Sequence, residues 1–224
     1  PARCSAIAAS EYNKEELGSL GFDVRAVAPY IMKIDGLHQG LAAQTSLDLR
    51  ARFEAPDLKT WLYVGRIAPN KRIEHIVSAF AFYRRHIEPR SRLMLVGSRR
   101  EDTYNGEVMD LIHRLGVEDS VVFPGLFASE SLGVFYDLAD LYISLSEHEG
   151  FCVPLLEAMR FGLPVIAFNC TAIGETMGGG GVLLDDKDPA LVAEGARQPH
   201  QDRGRVAQAT RAGVEQRGRG APGA

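Results

Sequence analysis

The sequence predicts an α/β protein, a doubly wound parallel sheet of about six strands with helices on both faces. Three observations predict it. Short continuous apolar runs recur along residues 58–194, as strands buried on both faces require. Between them lie segments with apolar residues at i, i+3, i+4 and i+7, the stripe of an amphipathic helix. The two kinds of segment alternate regularly, which means βαβ units, parallel pairing and right-handed crossovers.

The six runs cover residues 61–64, 93–96, 121–123, 141–145, 165–168 and 182–184. Ile73, Ile76, Val77 and Phe80 form the first helical stripe, and Val108, Leu111, Ile112 and Leu115 the second. Ser129 is a fair N-cap for a helix carrying Leu132, Phe135 and Tyr136. Residues 58–194 are therefore expected to form one domain. Residues 1–35 stand outside that rhythm: a strand end at 7–9, a helix over 11–20 closed by Gly21, and a strand over 24–28 broken by Pro29. Two strands and a helix cannot cover both faces of a sheet, so 1–35 reads as the remnant of a preceding domain. The start at Pro1 without Met fits a fragment. Residues 36–57 read as a linker with a helix, in which Leu37, Leu41, Leu47 and Phe53 are loosely periodic.

Composition bounds the rest. Of 224 residues 46% are apolar and 24% charged, ordinary for a globular chain. No apolar run approaches the roughly 20 residues of a membrane span. Cys4, Cys152 and Cys170 show no CxxC spacing, which argues against a zinc knuckle or disulfide framework and makes a reducing cytoplasm the expected location. A net charge of −4 argues against a nucleic-acid binder. That average hides a split. Residues 195–224 carry six Arg against Asp202 and Glu215, so this tail is +4 and the remainder −8. The tail has six Gly and six Ala but no Leu, Ile or Phe, and is expected to be disordered.

In an open parallel sheet, ligands bind beyond the carboxyl ends of the strands. After the first run comes the loop from Gly65 to Lys71, in which Arg66 and Lys71 flank a helix N-terminus that itself attracts anions. A phosphate site and a plain surface loop with two solvated cations weigh about equally on placement alone. After the fourth run, Pro154 suits the first turn of a helix, which puts Glu149 in the loop and Glu157 about one turn in. Both can face the same crevice mouth, and a carboxylate near the helix N-terminus could accept hydrogen bonds from a ligand diol, as an acidic residue does on a ribose. The plain alternative is that Glu157 favours the helix dipole. His148 has no second His at helical metal-ligand spacing, and Cys152 has no identifiable partner His. The Gly run at 178–181 is no dinucleotide fingerprint, because that motif follows the first strand.

Taken in order, Val64-Gly65-Arg66 with Lys71, Phe123-Pro124-Gly125, and Glu149-Gly150-Phe151 with Pro154-Leu155-Leu156-Glu157-Ala158-Met159 are recognisable. They resemble the C-terminal domain of GT-B-fold retaining glycosyltransferases of the group 1 type, whose Glu-x7-Glu element Glu149 and Glu157 match. The stretch from Ala172 to Thr176, followed by Gly181-Val182-Leu183-Leu184, looks like the family's next loop and strand. Ala9-Ser10-Glu11-Tyr12-Asn13 is similar to the start of its last unit before the interdomain linker.

The resemblance implies a Rossmann-like nucleotide-sugar-binding domain and transfer of a hexose, with retention, to a glycan or lipid-linked acceptor. Gly65, Arg66 and Lys71 would meet the donor diphosphate and neutralise the leaving group. Glu157 would hold the ribose hydroxyls. Glu149, with the backbone of Gly150, Phe151, Cys152 and Val153, would contact the hexose, and Phe123, Gly125 and Leu126 would hold the base. It implies no cofactor and no metal, and a UDP-, GDP- or ADP-sugar as donor. The acceptor-binding N-terminal domain is the missing partner, and peripheral membrane contact would run through it, so this chain is expected to be inactive alone. The family often has Gly where Cys152 stands and Pro where Gly174 stands. The Gly-, Ala- and Arg-rich tail is expected to be an out-of-frame product of a GC-rich gene. A non-catalytic nucleotide-binding or interaction module, and a GT-B-fold sugar-nucleotide epimerase, are the alternatives.

Overall fold

The computed structural model describes residues 4–28 and 42–201. In chain order the elements are β1 (Ser5–Ala8), α1 (Glu11–Ser19), β2 (Asp23–Val27), α2 (Ala43–Phe53), β3 (Lys59–Val64), α3 (Ile73–His86), β4 (Ser91–Val96), α4 (Thr103–Leu115), β5 (Val121–Gly125), α5 (Ser129–Leu138), β6 (Leu141–Ser144), α6 (Val153–Arg160), β7 (Val165–Phe168), α7 (Ile173–Met177), β8 (Val182–Leu184) and α8 (Pro189–Gln201). Each of the six apolar runs forms a strand. They pair in parallel in the order β5-β4-β3-β6-β7-β8.

The order has a physical consequence. The chain travels from β3 outward to β5, returns to the centre, and travels the other way from β6 to β8. Crossovers of one hand then lay helices on opposite faces in the two halves. Trp61, Tyr63, Leu93 and Leu95 accordingly point into a core with α3, α4 and α8, while their neighbours Leu62, Val64, Met94 and Val96 join α2, α5, α6 and α7. Period-2 alternation thus feeds two cores from one strand. Reversal of direction between β3 and β6 opens a crevice at their carboxyl ends, and that crevice positions the site.

Three details depart from expectation. Ser129 is not the N-cap of α5; Ala128 holds that position and no side chain caps the helix. Its helix is held by burial of Val134, Phe135 and Tyr136 instead. The expected linker contributes to the domain: Phe53 packs on Phe135 at 5.4 Å between ring centroids, and Arg50 pairs with Asp137 at 2.7 Å. Helix α8 runs through the expected boundary at 194, and the small side chain of Ala196 is fully buried, which lets the helix lie close against α3 and the sheet. The expectations for residues 29–41, Leu37 and Leu41 among them, and for 202–224 lie outside the described residues.

The opening unit forms its own two-stranded parallel sheet, with a register shift between Ala6 and Ile7. Ser10 caps α1 by accepting a bond from the Asn13 N–H at 3.1 Å.

Candidate functional site

The loop after β3 and the loop after β6 meet over the crevice. The Glu147 N–H donates to the Asn70 carbonyl at 3.0 Å, and Arg72 pairs with Glu147 at 2.6 Å. Lys71 Nζ lies 2.6 Å from Glu149 Oε1, with both side chains mostly buried. These contacts join residues whose sequence separation is 78 in the case of Lys71 and Glu149. Bonds from Arg72 and from Lys187 (2.9 Å) hold the Glu147 carboxyl down at about 2. Arg66 is exposed and makes no hydrogen bond or ion pair among the described residues beyond its carbonyl, which accepts from the Tyr63 hydroxyl at 3.1 Å. One cation is therefore wired to a carboxylate and the other is open to solvent.

Glu157 occupies a different environment. It faces inward from α6 and is 8% exposed, and its Oε2 accepts a 2.6 Å bond from the Tyr136 hydroxyl. Burial pushes its carboxyl up, and the Tyr136 bond opposes that shift. Among the described residues Glu149 and Glu157 share no hydrogen-bond partner. Tyr136 itself stacks on Phe161 at 5.2 Å, which holds the hydroxyl in place.

The backbone between the two glutamates is shaped by strain. Cys152 has φ 59° and ψ 67°, in the left-handed region, at the N-cap of α6. A Cβ there costs roughly 1–2 kcal/mol, the physical reason glycine suits this position. Arg72 (φ 51°) and Thr171 (φ 44°) are the other non-glycine residues with positive φ among those described. All three lie on loops that follow β3, β6 and β7, where function concentrates strain. The Cys152 thiol is pushed up to about 12, by burial first and then by Glu149, so it is no thiolate nucleophile.

On the β5 side, Phe123 is half-buried with the Arg99 guanidinium 4.9 Å above its ring, and Leu126 is exposed. The Gly125 carbonyl accepts the Gly97 N–H at 2.9 Å. Gly97 was not singled out in the sequence, yet a Cβ on it would lie 2.0 Å from the Gly65 carbonyl oxygen at φ +144°. A glycine just past a strand end is the signal that could have found it. The stretch at 173–177 forms the short helix α7 rather than a loop, and it supplies Thr176 and Glu175 to the site. His148 contacts α1: its ring meets Tyr12 edge-on at 6.4 Å and its Nε2 lies 3.9 Å from Glu16.

Residues 47–216 match the family described as Glycosyl transferases group 1. The chain belongs to this family. Among curated relatives, it is 30% identical over 141 residues to the O-antigen chain mannosyltransferase B of Escherichia coli, covering 63% of this chain and 36% of that protein. The group 1 domain here thus spans about a third of that relative's length. Among solved structures, HepE of Anabaena in complex with UDP and glucose superposes with a TM-score of 0.79 at 24% identity, covering 94% of this chain and 58% of that one. Sucrose-phosphate synthase of Thermosynechococcus elongatus gives 0.76 at 26%, covering 94% and 52%. The expected α/β domain, a six-stranded parallel sheet flanked by helices, matches these GT-B glycosyltransferase structures.

Proposed function

We propose that this group 1 chain is the donor-binding half of a retaining glycosyltransferase that takes a hexose from a nucleoside diphosphate sugar. The observation that carries the reading is the Lys71–Glu149 pair, set over the crevice where the direction of winding reverses. That crevice is where α/β sheets of this winding bind nucleotides. The names of the relatives support it, since one is a mannosyltransferase and one neighbour holds UDP and glucose.

In this reading the donor diphosphate lies against Arg66, Lys71 and the N-terminus of α3. Transfer breaks the bond between the anomeric carbon and the β-phosphate oxygen, and the leaving diphosphate keeps the electron pair. The acceptor hydroxyl oxygen forms the new bond to that carbon, and its proton goes to the departing diphosphate oxygen. Positive charge placed where the leaving group gains negative charge lowers the barrier. Glu157, held by Tyr136, accepts hydrogen bonds from the ribose diol, and Glu149 with the N–H groups of Gly150 and Phe151 meets the hexose. Phe123, Gly125 and Leu126 border the base, and the loop from Gly150 to Val153 closes the sugar side. This stretch alone binds donor without useful transfer, because positioning both substrates in a closed cleft supplies about 7–11 kcal/mol.

The test is a thermal-shift and calorimetric comparison of GDP-mannose, UDP-glucose and ADP-glucose. A saturating donor raises Tm by mass action, about 2.7 kcal/mol of stability at a hundred times Kd. Binding of one donor with no transfer to saccharide acceptors is the expected result. No shift with any of the three would overturn the reading.

A further inference from the structure

Three consecutive carbonyls in the loop after β6 each accept a bond from a side-chain hydroxyl on a different element. Thr171, on the loop after β7, donates to the Glu149 carbonyl at 2.8 Å. Ser10, the N-cap of α1, donates to the Gly150 carbonyl at 3.0 Å. Thr176, in α7, donates to the Phe151 carbonyl at 2.8 Å. In a trans peptide the N–H points opposite to the C=O. Holding these carbonyls therefore aims the N–H groups of Gly150, Phe151 and Cys152 the other way. None of those three N–H groups has a partner among the described residues.

The hydroxyls have little freedom to do otherwise. Ser10 is fully buried and already accepts the Asn13 N–H, so its one hydrogen goes to Gly150. Thr171 Oγ1 accepts the Glu149 N–H at 2.9 Å, and its hydrogen has the Glu149 carbonyl at 2.8 Å as its near acceptor, with the Cys170 sulfur at 3.8 Å the more distant one. Thr176 is fully buried beside Glu175, whose carboxylate accepts the Glu11 N–H at 3.1 and 3.2 Å. Helix α7 thus grips the start of α1 with Glu175 and the loop with Thr176.

We infer that Ser10, Thr171 and Thr176 are positioning residues that set the peptide planes of residues 149–152 so that their N–H groups face the donor sugar. The inference rests on the donor-binding reading above. It makes the sugar subsite depend on α1, a helix from outside the six-stranded domain, while the diphosphate and ribose contacts do not.

Calorimetry on residues 1–224 tests it with two ligand pairs, GDP-mannose against GDP and UDP-glucose against UDP. Ser10→Ala and Thr176→Val should weaken binding of the preferred sugar nucleotide about five- to tenfold, the scale of one net hydrogen bond. The matching diphosphate should change less than about twofold. Thr176→Ser keeps the hydroxyl and should keep the wild-type ratio. A merely structural role would move both members of a pair together, and that result, or no change at all, overturns the positioning role. Wild-type protein that binds none of the four overturns the donor reading and this inference with it. Ser10 lies outside the large sheet, so its variant decides the matter should Thr176→Val fail to fold.

Discussion

The two parallel sheets of this molecule obey the same pairing rules and differ in how they are held. In the six-stranded sheet, the central strands are buried on both faces, and Trp61, Leu62, Leu93 and Met94 have no solvent exposure at all. In the two-stranded sheet Ile7 is 68% exposed, and α1 buries none of its residues. A parallel sheet needs cover on both faces, and among the described residues only the large one has it. The small unit is joined to the large one near the site by polar contacts, chiefly Ser10 to Gly150 and Glu11 to Glu175. Packing holds the large sheet, whereas direction-specific hydrogen bonds place the small one.

The largest expected effect lies at the strand ends of the large sheet. Gly97→Ala would set a Cβ 2.0 Å from the Gly65 carbonyl oxygen, a backbone contact that cannot yield cheaply. A loss of about 4 kcal/mol or more in a urea titration is expected, at the far end of single-substitution effects. Gly18 in α1 is the counterpart in the small unit, where a Cβ meets nothing within 4 Å. Gly18→Ala should instead gain about 0.5–1 kcal/mol, since alanine loses less conformational freedom in a helix. A comparable loss at both glycines would erase the contrast between the two regions.

Next in size is Glu157→Ala. If the carboxylate holds the ribose diol, nucleoside diphosphate affinity should fall by roughly 1.5–3 kcal/mol by calorimetry, the range for bonds to charged groups. A folded variant with wild-type affinity would remove Glu157 from the site. On the small sheet, Ile7→Ala should change stability by no more than about 0.5 kcal/mol, as exposed substitutions do. A larger loss would mean that β1 carries buried weight.

The smallest effect is a pH dependence. Glu147 titrates at about 2 in the folded chain against an ordinary 4.5, because Arg72 and Lys187 hold its charged form. Its folded value is depressed, so the contribution is fully present above about pH 4.5 and is lost as pH falls toward 2. The Glu147 side chain is 43% exposed, which keeps the contribution small. Urea midpoints of wild type and Glu147→Gln should therefore converge as pH drops from 6 to about 3. A gap that widens in acid would reverse the assigned sign.

Much of the fold was legible because strand and helix periods are local. Residues 61–64 and 93–96 announce themselves as continuous apolar runs, and Pro154 announces the start of α6. Ser129 misled because capping depends on backbone geometry as well as residue type: the serine sits one position inside the helix. Ala196 misled because a tail poor in large apolar residues can still pack closely through small ones. At the site, Lys71 and Glu149 stood out by residue type and placement. Tyr136, Thr171 and Thr176 did not, since a tyrosine on an apolar stripe and isolated threonines look ordinary in sequence.

What the sequence determined by itself was the alternation of buried strands with amphipathic helices, and hence a parallel, doubly wound sheet with its ligand loops at the carboxyl ends. What only the tertiary structure decided was which loops meet. Lys71 reaches Glu149 because winding reverses between β3 and β6, which brings residues 78 apart in the chain to 2.6 Å. Ser10 reaches Gly150 across a separation of 140 residues at 3.0 Å. Apolar period is written over a few neighbouring residues, but a hydrogen bond depends on position and direction to within tenths of an ångström, and those are set only once the cores on both faces have closed.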